Sequence, residues 1–144
     1  GNYVRAGSNM DQVWENIHRL HQALPHVRLG VDTTITNCGI LSLGSMLSRC
    51  KELNMKWTGH LLNCWPNNRY LSEKLLRKEI FDEYLQKAFD VTENPEWLKS
   101  LEFIKKSYSP VVFSGEDRFE LSRYEDLRGM KGFYDEKILP FLNL

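Results

Sequence analysis

Asp32, Thr34, Thr36 and Asn37 stand close together in LGVDTTITNCG, residues 29–39, where an apolar stretch turns polar just before the next element should begin. Carboxylate, hydroxyl and amide groups at such a place either finish a strand and cap a helix, or line a ligand pocket. Val27, Leu29, Val31, Thr33 and Ile35 alternate with Arg28, Gly30, Asp32, Thr34 and Thr36, which is the period of a strand. If the first set faces helices, Asp32, Thr34 and Thr36 face the other way. In a plain core each of those polar groups would need a hydrogen-bonding partner, whereas a wet or ligand-filled cavity would accept them. The simpler reading is that threonine is a good strand former and Asn37 an N-cap.

His60 and Asn63 lie on opposite faces of a second stretch, WTGHLLNCWP, residues 57–66, with Cys64 beside them. His60 shares the parity of Thr58 and Leu62, so it is expected on the same side as Asp32, in a buried His–Asp hydrogen bond between neighbouring strands. General acid–base work by His60 would further require a substrate within reach. His18 and His21 have helical spacing for chelating a metal, but no carboxylate completes the set. Cys38, Cys50 and Cys64 are odd in number and widely spaced, which argues against a disulfide framework or a Cys-x2-Cys metal pair and for reduced, mostly buried thiols.

The elements that must position these groups follow from periodicity. Ser8 and Asp11 make a capping-box-like start, and Met10, Val13, Trp14, Ile17, Leu20, His21 and Leu24 recur at helical spacing up to Pro25. After the first strand, Asn37 and Gly39 read as a turn. Ile40, Leu43, Gly44, Met46, Leu47, Cys50 and Leu53 then mark a helix ending near Asn54. The order helix, strand, helix, strand predicts a parallel crossover. Beyond it, Ser72 is expected to cap a long helix with Leu75, Leu76, Ile80, Phe81, Tyr84, Leu85 and Ala88 on its apolar face. Asn94 and Pro95 open another helix, carrying Trp97, Leu98, Leu101 and Ile104. Residues 110–113 read as a short strand or an extended link. A helix over Asp117 to Arg128 stops at Gly129, and a short one near the end breaks at Pro140. Trp97, Tyr108, Tyr124 and Phe133 are assigned to the core of these helices.

With 144 residues the chain has the length of one domain, and with 19 basic and 19 acidic side chains it has no net charge. No basic cluster points to nucleic acid and no apolar run is long enough for a membrane span, so a cytoplasmic location is expected. The opening GNYVRAGSN carries no initiator methionine, which suggests that the natural protein extends further upstream.

Taken in order, NYVRAGSNMDQVWENIHRL, VRLGVDTTIT, WTGHLLN followed by P..RYLS, and the closing SRYEDLRGMKGFYDEKILPFL resemble the later half of radical S-adenosylmethionine enzymes. The subgroup is the one with a shortened auxiliary region, the twitch domain, found in many phage and bacterial proteins. The resemblance implies an α/β chain forming part of a (β/α) barrel. Residues 1–66 would be a half-barrel-like β/α unit with two parallel strands, and residues 67–144 a helical C-terminal region packing on it. It further implies that Arg5, Thr34, Thr36 and Asn37 face a cofactor, and Asp32, His60 and Asn63 a substrate pocket. In the family a Cys-x3-Cys-x2-Cys loop holds a [4Fe-4S] cluster. That loop is not in this chain, so S-adenosylmethionine and the cluster are implied for the intact parent, with no cofactor or metal site expected here.

The functional expectation is therefore a C-terminal portion of a radical S-adenosylmethionine enzyme, inactive alone, whose parent reaction and substrate are open. The other reading is a stand-alone, non-catalytic α/β protein-interaction module. Two strands alone are marginal as a sheet and their open edges invite pairing. A homodimer through a strand edge or helix exchange follows, with neither nucleic acid nor membrane as partner.

Overall fold

The computed structural model describes residues 9–62 and 68–144; Arg5, Asn63 and Cys64 lie outside these. The described elements are helix α1 (Met10–Ala23), strand β1 (Gly30–Ile35), helix α2 (Asn37–Glu52), strand β2 (Lys56–Leu61), and helices α3 (Lys78–Asp90), α4 (Pro95–Ser107), α5 (Gly115–Arg128) and α6 (Phe133–Lys137). Single 3-10 turns occupy Arg69–Leu71, Glu73–Leu75 and Leu139–Phe141. The protein is thus mixed α/β and mostly helical, with two parallel strands. No helix among the described residues is long and apolar enough to cross a membrane.

β1 and β2 pair in register from Gly30 opposite Lys56 to Ile35 opposite Leu61, with α2 as the crossover. One face of this small sheet joins the core through Ile35 and Trp57. The Trp57 ring lies over Gly59, where a side chain would come within 2.6 Å of it. That ring meets Trp97 of α4 edge-on at 6.0 Å and donates from Nε1 to Thr33 Oγ1 at 3.1 Å. The second half of the chain therefore covers one side of the sheet. Each large apolar side chain enclosed there contributes about 1.5–3 kcal/mol. α2 packs along α3 so closely that Gly44 faces the Lys87 backbone, leaving 3.3 Å for any added carbon. Ile40, Leu43 and Leu47 of α2 share one core with Phe81, Leu85 and Ala88 of α3 and Leu101 and Ile104 of α4. α1 lies outside this core with no fully buried side chain, although Arg49 sits over the Trp14 ring at 5.0 Å.

Several local expectations shift. The cap of α1 is Asn9, whose side chain accepts from the Gln12 amide. β1 begins at Gly30, so Val27 precedes it and is exposed. α2 already begins at Asn37, and its cap is Thr36. Ser72 caps only the 3-10 turn, and α3 starts six residues later. The reason is tertiary: Leu76 bridges Leu142 antiparallel, and the Arg77 amide donates to Phe141 O at 2.9 Å, holding the backbone extended where a helix would have continued. Residues 110–113 are an extended link, tied by Val111 N to Lys74 O and Phe113 N to Asn143 O. The Asn94 cap with Pro95 and the left-handed stop at Gly129 are as expected.

Candidate functional site

Strand alternation sends Val31, Thr33 and Ile35 inward and leaves Asp32 and Thr34 on the opposite, open face of the sheet. On β2 the same alternation sends Trp57 inward and Thr58 and His60 outward. The parallel register then sets Asp32 beside Thr58 and Thr34 beside His60. Thr58 Oγ1 donates to Asp32 Oδ1 at 3.0 Å, and His60 Nδ1 lies 3.0 Å from the same oxygen. On the other side of its ring, His60 Nε2 lies 3.0 Å from Thr34 Oγ1.

An ionised carboxylate only accepts hydrogen bonds, so the neutral His60 ring carries its proton on Nδ1, facing Asp32. Nε2 is then the basic nitrogen, and the Thr34 hydroxyl donates to it. Chemically the row is a carboxylate, an oriented imidazole and a hydroxyl whose proton points at the base. The expected pairing of Asp32 with His60 is present, but in the open: the side chains are 65% and 56% exposed. Thr58 emerges as a further member. Its parity with His60 was legible in the sequence, whereas its partner depended on the register.

Thr36 and Asn37 do not share this face. The Thr36 side chain accepts from the Gly39 amide at 2.9 Å as the cap of α2. Asn37 is fully enclosed. Its Oδ1 accepts from the Cys38 amide at 2.8 Å, and its Nδ2 donates to Tyr70 O at 2.8 Å and to the Tyr134 hydroxyl at 3.1 Å. Tyr134 in turn donates to Tyr70 O at 2.6 Å. Burial pushes the Tyr134 phenol well above its usual range, with the Asn37 hydrogen bond acting in the opposite sense. This is a tie between the start of α2 and the C-terminal helices, with its polar atoms already engaged.

A [4Fe-4S] cluster needs thiolates clustered in space. Cys50 is fully buried, and burial pushes the Cys38 thiol up to about 11. Both sit on α2, and no group of three metal-binding side chains occurs among the described residues. These residues do not fit the cluster. Two surface hollows lie elsewhere, one beside Gly115 and Phe119 and one of about 120 Å3 between Arg28, Lys51, Thr92 and Trp97. The polar row is an exposed wall of the sheet, with Asp32, Thr34, Thr58 and His60 all open to solvent. Compared with known protein families, curated proteins and solved structures, the chain matches none of them.

Proposed function

We propose that this chain is the C-terminal part of a radical S-adenosylmethionine enzyme of the twitch-domain type, and that β1 and β2 are two strands of its partial barrel. On this reading Asp32, Thr34, Thr58 and His60 form one wall of the substrate pocket, with Thr34 at the cofactor end. The supporting observation is the open polar face. Parallel strands are almost always covered on both sides, yet here one side carries a carboxylate, two hydroxyls and an imidazole facing outward. Such a face suits the wet interior of a larger barrel, where ligands gather at the carboxyl ends of the strands.

The cluster and S-adenosylmethionine would be held by the upstream part, which supplies the radical chemistry. The residues of this chain would shape the pocket, hydrogen-bond the substrate and hold a proton on His60. The test is the gene upstream of Gly1, expressed with this chain and reconstituted with iron and sulfide. Cluster absorbance and cleavage of S-adenosylmethionine are expected, with product formation falling in Asp32→Ala and His60→Ala. An upstream region without a Cys-x3-Cys-x2-Cys loop overturns the reading.

The second reading, a non-catalytic module pairing with a second copy of itself, is supported by Val13, Leu20, Leu24 and Val27. These are all exposed in and just after α1. Sedimentation of the isolated chain tests it, since a monomer at high concentration removes the self-pairing.

A further inference from the structure

The row Thr34, His60, Asp32 has the order and spacing of an activated-nucleophile relay, and this holds whether or not the chain belongs to a larger barrel. Asp32 Oδ1 at 3.0 Å fixes the ring tautomer, and Nε2 stands 3.0 Å from the Thr34 hydroxyl. Thr58, donating to the same Asp32 oxygen at 3.0 Å, holds the carboxylate in place. Those are the roles of nucleophile, base and orienting acid that define such triads by geometry rather than by sequence order. The strand register rigidly sets all three, since Thr34 is opposite His60 and Asp32 is two residues before Thr34 on the same face. Exposure of the face leaves a small electrophile free to approach Thr34.

We propose that Thr34 is a nucleophile that accepts acyl groups from activated carboxylic esters, with His60 as its general base and Asp32 as the positioning residue. In the step, Thr34 Oγ1 bonds to the carbonyl carbon while His60 Nε2 takes the hydroxyl proton. The bond from that carbon to the leaving oxygen breaks, and the proton passes from His60 to the departing alcohol. The product is an ester on Thr34, which water hydrolyses with Nε2 again as base. Because the relay stands in water rather than in a closed site, the general-base contribution lies at the low end of the usual range, about 100-fold.

The experiment uses the chain with p-nitrophenyl acetate, following phenolate release and locating the acetyl group by peptide mass spectrometry. Acetylation of Thr34 is expected, lost in Thr34→Val, reduced about 100-fold in His60→Ala and about 10-fold or more in Asp32→Asn. The rate should follow a single ionisation that disappears in His60→Ala, a readout that a purely structural Asp32–His60 pair would not move. Circular dichroism confirms that each variant is folded, as substitutions on an open face allow. Acetyl groups found only on lysines or on the His60 ring overturn the proposal. So does Thr34 acetylation at an unchanged rate in His60→Ala.

Discussion

Replacing Asn37 by alanine should destabilise the protein by about 3 kcal/mol, because three buried or half-buried hydrogen bonds disappear together at about 1 kcal/mol each. The bonds are those from Asn37 Nδ2 to Tyr70 O and the Tyr134 hydroxyl, and from the Cys38 amide to Asn37 Oδ1. Tyr70 O keeps the Tyr134 hydroxyl as donor at 2.6 Å, which stops the loss from growing into an orphaned carbonyl. Tyr134→Phe removes one donor and one acceptor and should cost about 1–2 kcal/mol. Since each residue holds the other in place, the double variant should fall short of the sum of the two losses by about 1 kcal/mol. At about 2.1 cal/mol/K per residue the unfolding entropy of this chain is about 0.3 kcal/mol/K, so Asn37→Ala should lower Tm by about 10 °C. Urea unfolding followed by tryptophan fluorescence supplies the free energies and a thermal scan the midpoint. A loss below about 0.5 kcal/mol, or strict additivity in the double variant, would refute the tie. Asn37 would then be free for the ligand role its sequence position suggested.

Glu73 is 2% exposed, and burial raises its carboxyl above the usual range. It holds its proton to higher pH when folded than when unfolded, so its contribution to stability falls as pH rises through the raised value. Glu73→Gln should therefore gain on the natural chain as pH rises from the ordinary carboxylate range through the raised value; urea midpoints of the two chains that run parallel with pH would count against this. Gly59→Ala would put a carbon 2.6 Å from the Trp57 ring. Moving the ring off Trp97 and Thr33 should cost about 1–3 kcal/mol and shift the tryptophan emission, and an unaltered spectrum with unaltered stability speaks against that packing. Ser114→Ala breaks the reciprocal cap with Asp117 at the head of α5. A loss of about 1 kcal/mol is expected in chemical denaturation, and no loss would assign the cap no weight.

Periodicity and turn chemistry are local, and local physics determined most of the element order. Alternation marked β1 and β2 and put Asp32 and His60 on one side. Asn94 with Pro95 opened α4, and Gly129 closed α5 in the left-handed conformation that glycine adopts without penalty. Only the tertiary structure decided which polar residues would be spent on the fold. Thr36 and Thr34 have the same parity and nearly the same surroundings in the chain, yet one caps α2 and the other donates to an imidazole. The partners that enclose Asn37 come from Tyr70 and from Tyr134, 97 positions away, and no spacing rule reaches that far. Likewise the C-terminal segment paired with Leu76 and Arg77 and cut short the helix expected to begin at Ser72. A side chain's own sequence sets what it can bond to, but the free energy of burying it depends on which distant groups the fold brings within 3 Å.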